Sequence, residues 1–155
     1  MSAQRIGVIA DTHGLLRPQA LDALAGSDLI VHAGDIGDAA ILQRLAEIAP
    51  VVAVRGNNDR GDWAAELPET TVVEAAGARL YLLHDLSQLT VDPAQAGCAA
   101  VIAGHSHRPS AVRRDGVLYL NPGSAGPRRF SLPIALGRLT VTGAELDWEL
   151  VRLAV

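Results

Sequence analysis

The sequence predicts an α/β fold whose sheets contain both parallel and antiparallel strands. In the first half of the chain, short apolar runs alternate with segments of helical periodicity, and such βαβαβ connections produce parallel strands. In the second half, two closely spaced runs at 71–83 and a long terminal hairpin predict antiparallel pairs. Because no repeat, low-complexity tract or linker interrupts the 155 residues, we expect a single domain over 1–155.

The first half contains strand and helix signals in close succession. The run Arg5–Ala10 is apolar and short, as expected of a buried strand. Pro18 at the first turn and Gly26 as a stop predict a helix between them. Asp38 is placed to cap a second helix, whose apolar residues keep a 3.6-residue period until Pro50 ends it. Two further strands are predicted at 29–33 and 51–54.

After Pro68 the pattern changes. Thr71–Ala75 and Arg79–Leu83 are separated by three residues, which predicts a hairpin. Asp92–Gly97 combines a capping residue, a first-turn proline and a glycine stop, which together predict a short helix. Apolar and acidic residues alternate along the last strand, as in a sheet with one buried face. Further strands are predicted at 98–103, 117–120, 134–142 and 144–153.

The composition excludes several classes of protein. With 49% hydrophobic and 19% charged residues the chain is not disordered, and no apolar run reaches the roughly 18 residues that a membrane helix requires. A single cysteine, Cys98, excludes an internal disulfide. The net charge of −4 gives no support to binding of long nucleic acids or membranes. The first residues run directly into a strand and leave no room for a signal peptide, so a cytoplasmic protein is expected.

Seven polar side chains each follow an apolar run within a few residues. They comprise four imidazoles, two carboxylates and one amide, and they include four of the five histidines in the chain. Open α/β sheets bind ligands beyond the carboxyl ends of their strands, so we expect these side chains to converge. The seven residues are Asp11, His13, Asp35, Asn57, His84, His105 and His107.

The chemistry of this set indicates metal binding. Imidazole nitrogens and carboxylate or amide oxygens, with no thiolate, suit Mn, Fe, Ni or Zn, and we expect Mn first. Seven ligands are too many for one tetrahedral site, but they suit two divalent ions roughly 3.5–4 Å apart that share a carboxylate. Such a pair attracts phosphate and lowers the pKa of bound water toward about 7, which produces a hydroxide nucleophile at neutral pH.

The spacing of these residues resembles that of the calcineurin-like metallophosphoesterases, in particular their small bacterial and archaeal phosphodiesterase branch. The likeness covers essentially the whole chain. The matching motifs are Asp11-x-His13, Gly34-Asp35, Gly56-Asn57-x-Asp59, His84 and Gly104-His105-x-His107. The resemblance implies a four-layer α/β/β/α sandwich. It also implies that Asp11, His13 and His107 bind the first metal, that Asn57, His84 and His105 bind the second, and that Asp35 bridges both.

The resemblance further implies metal-dependent hydrolysis of a phosphate ester, with a diester preferred, by a metal-bridging hydroxide. The residues expected at the reacting centre are Asp35, Asn57, Asn58 and His105. Asn58 departs from the pattern, because many relatives have histidine or cysteine there. An amide cannot serve as a general acid, although it can donate a hydrogen bond to a phosphate oxygen. Asp85, where glycine is usual, is a candidate acid, although a solvated loop carboxylate is the simpler interpretation.

The other polar residues are expected to support the site or to contact the substrate. His32 lies within a strand and is expected to be a hydrogen-bonded core residue. Asp59 is expected to orient Asn57 or Arg55 rather than bind metal. The residues predicted to contact the substrate are Asn58, Arg55, Ser124 and Arg128, with Arg129 as an alternative to Arg128.

The expected partner is a small phosphate ester, and neither long nucleic acid nor membrane is expected. A homodimer or larger homo-oligomer is compatible with the aliphatic composition. Two other functions stay open: a phosphomonoesterase, and a non-catalytic scaffold of the same fold that acts through protein interactions.

Overall fold

The computed structural model describes residues 2–155 and contains two five-stranded sheets. A short 3-10 helix, Leu86–Gln88, follows the fifth strand. In chain order the other elements are β1 Gln4–Ile9, α1 Pro18–Leu24, β2 Leu29–His32, α2 Ala39–Ala46, β3 Val51–Ala53, α3 Asp62–Ala65, β4 Thr70–Ala75, β5 Ala78–Leu83, β6 Ala100–Ile102, β7 Ser110–Arg114, β8 Val117–Asn121, β9 Ala135–Thr142 and β10 Glu145–Arg152.

Both sheets are mixed, as the sequence predicts. The first has the order β10-β9-β1-β2-β3, with β1, β2 and β3 parallel and the terminal hairpin antiparallel to β1. The second has the order β4-β5-β6-β8-β7, in which β5, β6 and β8 are parallel and the two outer strands antiparallel. The α/β class is therefore confirmed.

The main core lies between the two sheets. Alternate residues of each strand point into it, because successive side chains of a strand face opposite sides. Residues contributed by both sheets include Ile6, Val8, Val31, Leu80, Leu82, Ile102, Leu118 and Leu120. The helices cover the other face of the first sheet, where Leu24 and Leu45 are fully buried. On the outer face of the second sheet, a smaller cluster around Val101 packs against Leu89, so the fourth layer is thin.

Local signals explain most of the element boundaries. Asp38 caps α2 as predicted, since its Oδ1 accepts a hydrogen bond of 2.9 Å from the Ala40 N–H. The expected helix at 92–97 is wrong. The segment forms a turn closed by the Ala96 N–H bound to the Asp92 carbonyl at 3.0 Å, and Gly97 adopts a left-handed φ of 77° that ends it.

The sequence patterns did not predict α3 and β7. The helix α3 is only four residues long, and β7 is an edge strand with mostly exposed side chains, so neither carries the apolar periodicity that marks a longer or more buried element. Within residues 2–155, no helix combines the length and the apolar character needed to cross a bilayer.

The loops that follow the parallel strands meet at one edge of the sandwich. The loop after β6 contacts the loop after β1, because the His105 N–H donates to Asp11 Oδ2 at 3.0 Å. The loop after β5 contacts that after β2, where His84 Nδ1 lies 2.7 Å from the Ala33 carbonyl oxygen. The two sheets therefore present their carboxyl ends to the same space, as expected for a ligand site in an α/β protein.

Removal of a core side chain between the sheets tests this packing. Leu80 is fully buried, so Leu80→Ala should lower the free energy of unfolding by about 2–5 kcal/mol through lost burial and the cavity left behind. The measurement is urea unfolding followed by circular dichroism. Val72→Ala, on the neighbouring strand and 46% exposed, is the matched control and should change stability by less than about 0.5 kcal/mol. Equal losses for the two variants would contradict the assigned core.

Candidate metal centre

Three predicted ligands form a first group beyond β1 and β6. Asp11 and His107 are buried and His13 is partly exposed. His107 Nε2 lies 3.5 Å from Asp11 Oδ1 and 3.3 Å from His13 Nε2. One ligand atom from each residue lies within 4.8 Å of the other two, a separation that suits coordination of a single ion.

A second group of three is formed by Asp35, His84 and His105, again with ligand atoms within 4.8 Å of one another. Asp35 and His84 are buried, whereas His105 is exposed at the surface of the site. Asn57, the other residue predicted here, lies with His84 and His105 in the wall of one cavity.

Asp35 lies between the two groups. Its Oδ2 atom is 3.6 Å from His13 Nε2 in the first group and 3.2 Å from His84 Nε2 in the second. Asn58 holds the carboxylate from its other side, since its backbone N–H donates to Oδ1 at 2.8 Å and its Nδ2 donates to Oδ2 at 3.1 Å. One oxygen of Asp35 therefore faces ligands of both groups.

The ionisation of these residues follows from their contacts. Burial alone would raise the pKa of Asp35, but the interactions with His84 and Asn58 outweigh it and hold that pKa far below its usual range. The carboxylate of Asp11, whose Oδ1 lies 3.7 Å from His13 Nε2, raises the pKa of His13. Burial lowers the pKa of His107. Asp35 is thus an anion at neutral pH, as a bridging ligand requires.

Hydrogen bonds on the far side of the ligands leave their inner atoms free. Because His84 Nδ1 donates to the Ala33 carbonyl, its Nε2 is the nitrogen that faces Asp35, where either a proton or a metal ion can be bound. Burial alone would lower the pKa of His84, but the interactions with Asp35 outweigh it and raise that pKa. Asp11 Oδ2 accepts from the His105 N–H, whereas its Oδ1 faces His13 and His107. Within residues 2–155, Asp11 Oδ1 and His84 Nε2 are buried without a hydrogen-bond partner.

Buried polar atoms without partners are rare, and each one needs an explanation. A bound cation would provide it here, because both atoms can donate an electron pair and lie among other nitrogen and oxygen donors. The donor set contains no sulfur, which suits Mn, Fe, Ni or Zn. The residues present therefore fit a pair of divalent ions.

The backbone at the ligands is strained. Most non-glycine residues avoid positive φ, and each such residue raises the energy of the fold by of order 1 kcal/mol. Nine non-glycine residues among 2–155 have positive φ, and five of them are predicted ligands. These five are Asp11 (56°), His13 (45°), Asp35 (55°), His105 (73°) and His107 (62°). The concentration of strain at these positions supports a functional site.

Two motif glycines allow the loops to approach closely. A Cβ atom at Gly34 would lie 2.8 Å from His84 Nδ1, and one at Gly104 would lie 2.9 Å from Asp11 Oδ2. Any larger residue at either position would push a ligand out of its group.

His32 supports the site from the core, as the sequence predicts. It is fully buried between two hydrogen-bond partners. Thr12 Oγ1 donates its hydrogen to the Ile36 carbonyl, so His32 Nε2 must donate to that hydroxyl at 3.0 Å. His32 Nδ1 then accepts from the Gly34 N–H at 3.1 Å. The neutral ring thus joins the loops that carry the first and second motifs.

Asp59 has a role that the sequence did not reveal. Instead of orienting Asn57 or Arg55, its two oxygens accept hydrogen bonds of 2.9 Å from the backbone N–H groups of Gly37 and Gly56. It is buried and ties the third motif to the second. The only sequence signal was its place within the third motif.

The residues predicted to contact the substrate lie in different settings. Arg55 is engaged, since its Nη2 donates to Glu69 Oε1 at 2.9 Å. Ser124 is buried, and its hydroxyl lies 3.0 Å from the Asp11 carbonyl oxygen and 3.1 Å from that of Pro127. These contacts favour support of the Asp11 loop over direct contact with a substrate.

The adjacent arginines differ in their relation to the metal centre. Arg128 is exposed and remains a prediction. Arg129 is also exposed, and its charge acts to lower the pKa of both His13 and His107. Contact of either arginine with a phosphate remains a prediction.

Asp85 lies at the edge of the second group. Burial raises its pKa, but hydrogen bonds from the Ser87 hydroxyl and backbone N–H outweigh this effect, so the net pKa is lowered. A carboxylate with a lowered pKa is ionised at neutral pH and is a poor proton donor. This argues against Asp85 as the general acid.

Comparison with known proteins gives consistent results. The model of the calcineurin-like phosphoesterase superfamily domain matches residues 5–144. A probable metallophosphoesterase of Methanothermobacter thermautotrophicus is 36% identical over 159 residues, which covers 95% of this chain and 91% of the relative.

Solved structures share the fold at lower sequence identity. An archaeal phosphodiesterase superposes with a TM-score of 0.78 at 22% identity, covering 96% of this chain and all of the other. Vacuolar protein sorting 29 from Cryptosporidium parvum superposes with a TM-score of 0.79 at 17% identity, covering 99% of each chain.

The neutral state of His32 predicts a pH dependence of stability. Burial lowers the pKa of His32 from 6.5 to about 3. Between these values the unfolded chain binds a proton that the native chain does not, so metal-free protein should lose stability as the pH falls from 6.5. The contribution approaches about 1.4 kcal/mol per pH unit. His32→Gln should show a shallower loss between pH 6 and pH 4, measured by urea unfolding at each pH. If the free energy of unfolding changed equally with pH in the two proteins, folding would not lower the pKa of His32.

Proposed function

Because the chain belongs to the calcineurin-like phosphoesterase superfamily, we propose that it is a metal-dependent phosphodiesterase with a dinuclear centre. The observation that carries the proposal is the position of Asp35 Oδ2, which faces His13 of one ligand group and His84 of the other. A carboxylate in this position suits two ions a few ångströms apart, of which Mn is the first candidate and Fe, Ni or Zn the others.

The proposed division of ligands follows the two groups. Asp11, His13 and His107 would hold one ion, and His84, His105 and Asn57 the other, with Asp35 shared. When bound, two divalent ions lower the pKa of coordinated water toward about 7, so that hydroxide is available to attack phosphorus, and they neutralise charge on the phosphate. Hydrolysis adds the water oxygen to phosphorus, breaks one P–O ester bond and releases the alcohol.

The remaining residues position the reactants. Asn58 orients Asp35 through its backbone and side-chain donors, and an amide supplies no proton to the leaving oxygen. Arg128 and Arg129, both exposed, are the proposed cationic contacts of the phosphate anion. The leaving group must therefore depart as a stable anion or take its proton from solvent.

Two alternatives are weaker. A scaffold is suggested by the similarity of fold to vacuolar protein sorting 29, a protein named for sorting and not for hydrolysis. A scaffold has no need of strained ligand loops, yet all seven predicted ligands are present here and five of them have left-handed backbones. A phosphomonoesterase would use the same metals and differs in the substrate that is preferred.

The sequence also leads to proposals for the substrate, the location and the assembly of the protein. We propose a small phosphate ester as substrate and a cytoplasmic location, with no role for long nucleic acid. Assembly into a homodimer or larger homo-oligomer also remains a prediction.

Substitution of the shared ligand tests the proposal. Asp35→Asn removes the charge between the two groups, so bound metal should fall below two equivalents. Hydrolysis of bis(4-nitrophenyl) phosphate with Mn should fall by about 100-fold or more. Metal content is measured by mass spectrometry and turnover by absorbance. Asp38→Asn, at an exposed helix cap outside both groups, is the matched control and should change neither quantity. Absence of hydrolysis by the wild-type chain with every metal tried would refute the proposed activity.

Asn58 generates a prediction about leaving groups. Because no acid lies at this position, the wild-type protein should cleave aryl diesters much faster than alkyl diesters. Asn58→His should narrow that ratio by about tenfold or more, because general acid catalysis accelerates alkoxide departure most. Asn58→Ala, which removes the amide without adding an acid, should leave the ratio wide. Equal cleavage of both classes by the wild-type protein would show that another group protonates the leaving oxygen.

A further inference from the structure

A cavity of about 680 Å³ opens beside the second ligand group, a volume in the range of small-molecule sites. His84, His105 and Asn57 form the wall nearest to the metal centre. A phosphate held between the two groups would project one of its ester substituents into this space.

The rest of the lining contains side chains that can form hydrogen bonds with a ligand, but it contains no unpaired positive charge. Thr70, Gln88 and Thr90 contribute neutral polar side chains. The cation in the wall, Arg55, is paired with Glu69 at 2.9 Å. A second phosphate or a carboxylate would therefore find no countercharge in this lining.

Asp85 lines the cavity and has one carboxylate oxygen without a hydrogen-bond partner in residues 2–155. Its Oδ1 accepts from both the N–H and the hydroxyl of Ser87. Its Oδ2 has no hydrogen-bond partner within residues 2–155 and lies 3.8 Å from His105 Nε2, beyond hydrogen-bonding distance. An ionised carboxylate only accepts hydrogen bonds, so this atom suits a hydroxyl donor and repels an anion.

We propose that the cavity binds an uncharged, hydroxyl-rich alcohol portion of the substrate, with Asp85 Oδ2 accepting a hydrogen bond from one of its hydroxyl groups. The proposal rests on the phosphodiesterase function above and names the class of substrate. Because Asn58 cannot protonate a departing alkoxide, this alcohol is the one that stays on phosphorus while the other ester bond breaks.

Two diesters with the same leaving group test this assignment. They are 2,3-dihydroxypropyl 4-nitrophenyl phosphate and propyl 4-nitrophenyl phosphate, which differ only in the hydroxyls of the retained alcohol. With Mn-loaded protein we expect kcat/KM to favour the dihydroxypropyl ester by about tenfold or more, mainly through KM. As a readout that needs no turnover, glycerol 3-phosphate should bind more tightly than propyl phosphate by a similar factor in calorimetry.

Variants assign the preference to Asp85. Asp85→Asn keeps an oxygen for Ser87 and turns the second acceptor into a donor, so the preference should fall by about tenfold. Ser87→Ala weakens the same turn without changing Oδ2 and should keep the preference. The Mn affinity of each variant is measured in parallel.

The outcomes are distinct. Failure of the wild-type protein to cleave either diester would overturn the phosphodiesterase function itself. Cleavage of both with equal kcat/KM would overturn only the assignment of the cavity. A preference for a 2-aminoethyl ester over the dihydroxypropyl ester would overturn the hydroxyl assignment in favour of a cation. Equal losses on both diesters in Asp85→Asn, with weaker Mn binding, would make Asp85 a positioning residue for His105 and overturn the proposal.

Discussion

The arrangement of the site depends on one carboxylate. Asp35 follows the parallel strand β2 in a left-handed conformation, and Asn58 from the loop after β3 holds both of its oxygens. The Oδ2 atom can therefore face an imidazole from each ligand group at once. Without this fixed anion, buried histidines on two different sheets would have no shared charge to gather around, and their convergence would be unfavourable.

The fold is built so that this anion has a rigid support. Two sheets pack through aliphatic side chains, and the parallel strands end at the same edge. Hydrogen bonds between loops then transmit the position of one ligand to another. His32 links the first motif to the second, and Asp59 links the second to the third. The proposed metal ligands are thus held in place by residues that would not bind metal themselves. Such support keeps the ligands in a precise arrangement.

Much of this arrangement could be predicted from residue patterns alone. The βαβαβ alternation predicted the parallel strands, and of the seven polar residues that follow apolar runs, the structure brings six together in two groups. The edge strand β7 escaped because exposed strands lack an apolar face. The roles of Asn58, Asp59 and Ser124 were not predicted, because each depends on a residue distant in sequence that becomes a neighbour only in the folded chain.

The left-handed backbone at the ligand positions sets stability against activity. At His105 and His107 a glycine would relieve the strain and make the isolated fold more robust, yet it would remove the imidazoles. The same exchange is open at Asp11 and His13. In a chain of this fold that no longer bound metal, glycine would therefore be expected to be tolerated at these sites.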